Sequence, residues 1–432
     1  MGFSSMGQSR KVLLAALFAG VALGAATPGF AAPKKAKAVA AAPGVPKISP
    51  SKAFLPAGAA AQKAVEAAKL DPAAAPAARA AVDAAFAAMT TADDKFYAGQ
   101  LALTLGGALK DTVLQRRGLK AMVESNKIPA DNGKYNYFLA SLAYDAKDYP
   151  AARAAAQAAI QAGYPKDDIL GLLSEAYFAD NQTAAGLAEL KQAVMAKRAA
   201  GQPVPEAWIK RAVSVAYKSK LNAEAADWAL TQVELYPTAF NWLASAQLVR
   251  LVGNYGPNET IDLFRLMLRS GAFDNDPKLL GSEYREYIEA ADPRRLPGEV
   301  IRVIDKGMAS GALSGAYVTE SRTLANARMP ADKASLPASA AKAASSSSGV
   351  EALSTGDAYL NYGDAAKAEA LYTMALSKSG VDKDRVLTRL GIAQFDQGKY
   401  ADARASFKQI GGTRAPLARL WLAFVNSKSP AA

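Results

Sequence analysis

Apolar positions along this chain recur every three to four residues. Almost nowhere do they alternate with the period of two that a half-buried strand requires. From about residue 61 to 328 the pattern is one of long Ala/Leu-rich runs broken by short turns. Asp71-Pro72, Asn126-Lys127-Ile128-Pro129 and Gly163-Tyr164-Pro165 are such turns. The same text resumes from 350 to about 427, so the expected class is all-α. Between these stretches, residues 329–349 hold Pro330, Pro337 and the run Ser345-Ser346-Ser347-Ser348-Gly349, with little to bury, and predict a flexible Ser/Ala-rich linker. Residues 32–60 carry Pro33, Pro43, Pro46, Pro50 and Pro56 and predict a disordered Ala/Pro/Lys-rich spacer. The expected organisation is a helical-repeat domain over 61–328 and a further helix pair within 350–432.

The N-terminus has a different pattern. Arg10 and Lys11 precede the apolar run Val12–Leu23, which Gly24 to Pro28 interrupt, and Gly29-Phe30-Ala31 follows with small residues two apart. A charged segment, a short apolar core and a small-x-small site are the parts of a secretory signal. A spanning helix needs about 20 apolar residues. Residues 1–31 are therefore expected to be removed on export, leaving no transmembrane segment. That places the mature protein in the periplasm of a Gram-negative envelope.

Within the helical text a longer period appears. Gly356 and Gly391 lie 35 residues apart, as do Ala368 and Ala403. In each copy a small residue on the first helix precedes one on the second by 12. The interval recurs upstream in Ala140 with Ala152, Ser174 with Gly186, and Val213 with Ala225. Small residues let two antiparallel helices cross closely, and one hairpin cannot bury its apolar stripe without neighbours. The pattern resembles the tetratricopeptide repeat family, carried by Leu387, Leu390, Gly391, Ala403 and Phe407 in the last copy. Leu170, Leu173, Ser174, Tyr177 and Gly186 carry it in an earlier one. The resemblance implies a right-handed solenoid of helical hairpins, a TPR-like superhelix. Aromatic residues Tyr144, Tyr217 and Phe395 fall one position late, and Val213 is large for its slot.

Composition narrows the chemistry. The 432 residues include no Cys and no His. Thiolate and imidazole metal ligands, thiol nucleophiles, histidine-based triads and disulfides are thereby excluded. No catalytic, cofactor or metal site is expected. A cell-wall hydrolase would need a protected catalytic Glu and a further domain, whereas Glu283, Glu286 and Glu289 continue the helical text. The net charge of +12 falls to +10 without Arg10 and Lys11. It is compatible with a solvated surface or with attraction to anionic glycan; in an exported protein nucleic acid is not the expected partner. Arg116-Arg117 and Asp292-Pro293-Arg294-Arg295-Leu296-Pro297 are small basic clusters.

The resemblance also implies a concave groove, lined by first helices, that receives a segment of a partner protein. Its register places Tyr137, Ser141, Tyr144, Glu175, Phe178, Lys210, Ser214 and Tyr217 in that groove. In the C-terminal pair it places Asp357, Asn361, Arg385, Thr388 and Asp396 there. The expected function is a non-catalytic protein–protein interaction scaffold of the bacterial cell envelope. The alternative is a binding or export-helper protein for envelope polysaccharide or peptidoglycan.

Overall fold

A computed structural model describes residues 48–164 and 167–429. The expected signal peptide lies outside the described residues. The architecture is all-α, built of consecutive antiparallel helical hairpins. The chain divides into two compact units, residues 1–190 and 191–432.

The first unit contains helices α1 (Leu55–Leu70), α2 (Ala75–Ala87), α3 (Ala92–Leu109), α4 (Thr112–Glu124), α5 (Asn132–Asp145), α6 (Tyr149–Gln161) and α7 (Asp167–Ala179). Helix α8 (Thr183–Ala199) carries the boundary. The expected spacer to residue 60 is corrected here, because the chain is anchored well before it. Fully buried Asp94 accepts Ser51 N at 2.7 Å, Ser51 Oγ at 2.8 Å, and Thr90 N, Thr90 Oγ1 and Thr91 N at 3.0 Å each. Burial opposes ionisation of this carboxyl, but the converging donors hold its pKa well below the usual carboxylate range. Phe54, also buried, meets the Tyr97 ring edge-on at 5.9 Å. Proline density suggested a spacer, yet Pro56 sits in the first turn of α1, where a missing N–H costs nothing.

Three second helices of this unit are copies of one element. α2, α4 and α6 each have 13 residues and begin 37 apart, at Ala75, Thr112 and Tyr149. Each bears an arginine at its fifth position: Arg79, Arg116 and Arg153. Arg79 pairs with Asp111, the N-cap of α4, and Arg116 with Asp148, the N-cap of α6. The other oxygen of each aspartate accepts first-turn amides, Val113 N at 2.9 Å and Leu114 N at 3.0 Å for Asp111, and Ala151 N at 3.3 Å for Asp148. One carboxylate thus caps its own helix and ties it to the preceding repeat. Arg153 pairs with Asp180 at 2.7 Å.

The second unit contains α9 (Glu206–Lys218), α10 (Asn222–Leu235), α11 (Ala239–Gly253), α12 (Pro257–Ser270), α13 (Gly281–Ala291), α14 (Pro297–Ala309) and α15 (Ala316–Ser345). It continues with α16 (Gly349–Asn361), α17 (Ala365–Leu376), α18 (Lys383–Asp396), α19 (Tyr400–Lys408) and α20 (Ala415–Lys428). The expected linker at 329–349 is instead largely the C-terminal half of α15, a 30-residue helix. Buried Val318, Ser321, Ala325, Leu336 and Ala343 recur at helical spacing and pack it against its neighbours. Pro330 and Pro337 lie on an exposed side. The carbonyls they leave unpaired, those of Asn326 and Lys333, belong to exposed residues and are open to water. At the far end, Lys378 Nζ donates to Ala343 O at 2.5 Å, Ala344 O at 3.1 Å and Ser346 O at 2.7 Å. That satisfies two orphan carbonyls of the last turn and the carbonyl of the C-cap residue.

Nor is 350–432 a separate pair. Helix α20 returns to pack on α10, α11 and α12. Trp242 meets Phe424 edge-on at 5.6 Å, and Arg419 pairs with Asp227 at 2.6 Å. The helical hairpins from 206 to 428 belong to one body, and a continuous apolar core runs through it from Ala226 to Val425.

Candidate functional site

The N-terminal unit carries an open cleft of about 600 Å³ between α4 and α6. On α4, Val113, Arg116, Arg117, Lys120, Val123 and Glu124 face it at helical spacing. Ala151, Ala154, Ala155 and Ala158 line the opposite wall on α6, and Asn136 and Leu139 of α5 with Asp148, the N-cap of α6, complete the lining. The alanines form a wall of low relief, against which another chain can approach closely. The buried Asn136 amide donates to Asn132 O at 2.9 Å.

The charges of the α4 wall are held in place. Arg116 is engaged by Asp148, while Arg117 pairs with Asp83 and stacks 3.9 Å above the Phe86 ring. The hydrogen bond from Arg116 holds the Asp148 pKa below its ordinary value. Lys120, largely exposed, reaches Glu124 only at 3.9 Å, and Lys95 already holds Glu124 at 3.1 Å. Lys120 is therefore the cleft cation least committed within the protein. Arg116 and Arg117, met in the sequence as a bare basic cluster, are parts of the interhelical ladder.

This cleft is not the expected groove. Its walls come from second helices, whereas the expected residues lie on first helices. Tyr137 is 9% exposed and packs among Phe138 and Tyr164, with ring centroids 5.6 and 6.0 Å away. That is a core position. Tyr144 is half-buried beside Tyr149 at 5.7 Å. Half-buried Phe178 covers Gly186, where a Cβ would come within 2.6 Å of its ring. Glu175 is half-buried on the same helix. In the second unit Lys210 is exposed and pairs with Glu206 at 2.9 Å, and Tyr217 is 45% exposed. Ala212 is buried beside half-buried Val213, so the expected register of α9 was one residue late. Exposed Phe240 and Leu251 lie 11 residues apart and share a face of α11. Only their burial reveals them, since a lone exposed hydrophobe leaves no sequence pattern.

The C-terminal candidates have a different fate: the chain itself occupies their face. Asp396 accepts Arg269 Nε and Nη2 of α12 at 2.6 Å each. Asn361 Oδ1 accepts the Glu299 amide at 2.7 Å, and Asp357 is engaged by Arg389. Thr388, buried, donates to Asp384 O at 2.6 Å. Around them Arg265 joins Asp262 at 3.0 Å and Glu299 at 2.7 Å, and Arg414 joins Asp262 at 2.9 Å. Burial opposes ionisation of Glu299, but the Arg265 charge and hydrogen bonds outweigh it and set its pKa at about 2. Glu283 is buried and accepts Gln247 Nε2 at 2.8 Å; Glu286 pairs with Arg250. Among the described residues no group of three or more carboxylates is arranged to hold a metal, and no helix is long and apolar enough to cross a membrane.

No family model and no curated protein sequence matches the chain. Among solved structures it is similar to one described as "Structure of Naa15/Naa10 bound to HypK-THB", at 16% identity and a TM-score of 0.32. The alignment covers 86% of this chain and 60% of that one. At that score the likeness carries no argument about a site or an activity.

Proposed function

We propose that the protein is a non-catalytic protein–protein interaction scaffold of the bacterial cell envelope that docks a segment of a partner protein in the α4–α6 cleft. The cleft itself is the observation that carries the reading: two helical walls, one of alanines and one bearing the weakly engaged cation of Lys120, flank an opening of about 600 Å³. A segment with small apolar residues toward α6 and a carboxylate toward Lys120 fits that chemistry, and helix-in-groove docking uses this type of surface. Lys210 and Tyr217 offer a second exposed patch on their own unit. Export rests on the charged, apolar and small-x-small pattern of residues 1–31.

A photo-crosslinking side chain placed at Lys120 or Ala154, in cells, tests the reading. One protein partner captured from both positions, and lost when Ala158→Trp fills the cleft, is the expected result. Ala158 lines the cleft and is only half-buried, so the change fills the opening with the core left intact. Capture of cell-wall glycan instead, unaffected by Ala158→Trp, would favour the polysaccharide alternative. N-terminal sequencing of the periplasmic protein checks the export step; retention of Arg10 and Lys11 in that product would refute cleavage.

A further inference from the structure

The ion network of the second unit is unevenly satisfied, and buried arginine donors without an acceptor lie at one of its corners. Asp262 is fully used: Oδ1 accepts Arg265 Nη1 at 3.0 Å and Arg389 Nε at 3.3 Å, and Oδ2 accepts Arg414 Nη1 at 2.9 Å. Glu299 is equally committed, with Arg265 Nε at 2.9 Å and Tyr287 Oη at 2.7 Å on one oxygen and Arg265 Nη2 at 2.7 Å on the other. Arg385 is the exception. Its one acceptor, Asp357 Oδ2, is 3.5 Å from Nη2 and is already engaged by Arg389. Arg385 Nε is buried with no acceptor, and so is Nε of Arg414, a residue only 3% exposed. A buried donor left unmatched is destabilising, the more so when it is charged.

Nearby carboxylates do not fill this deficit. Glu259 pairs with Arg414 Nη2 at 2.8 Å. Asp384 Oδ2 faces Gly411 N at 3.4 Å, and Asp382 caps α18 through Arg385 N at 3.2 Å. Arg414 is also the N-cap of α20, whose first amide, Ala415 N, is taken by Gly412 O and whose second position, Pro416, has no N–H, so the donors left at this place are those of the arginines. The Arg385 side chain is 24% exposed, which leaves a path from solvent. Burial, then the charge of Arg389, lowers the Arg385 pKa, and Arg414 adds to the effect.

The geometry points to a binding site for an anionic oxygen group, carboxylate or phosphate, at Arg385 beside Arg414. An oxyanion supplies the acceptor that Arg385 Nε and Arg414 Nε both lack, and it balances the cation that Asp357 shares with Arg389. This site is independent of the α4–α6 cleft and lies wholly within the second unit.

The test uses the full mature chain and Arg385→Gln, titrated with inorganic phosphate or with acetate at fixed ionic strength. All four tryptophans, Trp208, Trp228, Trp242 and Trp421, belong to the second unit, so indole fluorescence reports its melting. A saturable rise in Tm is expected, with affinity for the preferred anion reduced about tenfold or more in Arg385→Gln. The stronger arm identifies the group as phosphate or carboxylate. Without added anion Arg385→Gln should melt no lower than the parent, because it removes an under-neutralised cation; a purely structural arginine would lower it. No saturable shift of the parent with either anion would overturn the proposal. An equal shift in the variant would do the same.

Discussion

Replacing Gly118 with alanine should destabilise the N-terminal unit, although the same change in an ordinary helix interior stabilises by about 1 kcal/mol. Gly118 and Gly99 let α3 and α4 touch backbone to backbone. A Cβ at Gly118 would sit 2.5 Å from Gly99 O and 2.6 Å from Leu103 N. Both obstacles are backbone, so neither can swing away, and relief requires the helices to part by roughly an ångström over their shared length. Parting would loosen buried Leu103, Leu119 and Met122 and stretch the Gln115 Nε2 to Gly106 O bond, now 2.9 Å. Overpacking of this kind costs about 1–3 kcal/mol, and more where backbone must move, so a net loss of about 1–2 kcal/mol remains after the propensity gain. Hydrogen exchange of α3 and α4 amides in the full chain is the assay, because no tryptophan lies in this unit. Faster exchange confined to these helices and their neighbours is expected. Unchanged or slower exchange in Gly118→Ala would refute the close-contact argument.

The repeat-to-repeat ladder should be acid-sensitive. Asp111 and Asp148 have lowered pKa values in the fold, so the stability they contribute is present above the ordinary value near 4 and is lost as pH falls through the lowered values. Asp148→Asn keeps a capping oxygen, should cost less than about 1 kcal/mol at neutral pH, and should weaken the pH dependence of circular-dichroism melts; an unaltered acid limb would count against the ladder. Lys378→Met removes three hydrogen bonds to the end of α15, at a cost of about 1–3 kcal/mol. Exchange should then accelerate over 340–346, and unchanged protection there would mean the lysine contributes little. Asp262→Asn strips three arginines of their shared carboxylate and should cost about 3–5 kcal/mol. Because Trp421 Nε1 donates to Asp262 O at 3.2 Å, indole fluorescence follows the loss; a variant as stable as the parent would show the network to be dispensable.

The hairpins were legible because their signal is local. Ala140 with Ala152, Ser174 with Gly186, Gly356 with Ala368 and Gly391 with Ala403 are all buried, and Gly356 and Gly391 lie against the rings of Tyr372 and Phe407. Register was lost in α9, where Ala212 and Val213 compete for one slot and a spacing of 12 or 13 fits equally well. Composition is a poor guide to the segment 329–349: it holds few large side chains, but Ala325, Leu336 and Ala343 fall on one stripe and alanine suffices where helices approach closely. The cleft left no distinct mark, because its alanines read equally well as helix filler.

The closed C-terminal face was illegible for a different reason. The contacts that close it join residues far apart, 127 positions from Asp262 to Arg389 and 152 from Asp262 to Arg414. No period of 34 to 37 residues encodes such pairs. A clue does exist within α12 itself. Ile261, Leu263, Phe264, Leu266 and Met267 cover more than half of the helix circumference, and Asp262 and Arg265 share the face that remains. An apolar arc that wide leaves little room for a solvent face, so charges enclosed beside it must find opposite charges on whatever encloses them. The surplus of arginines at Arg385, Arg389 and Arg414, on helices otherwise suited to an open groove, is the complementary half of that requirement. The face that repeat register offers to a partner is thus taken by the protein's own α12, and the Arg385 corner is one place on that face where buried donors stay unmatched.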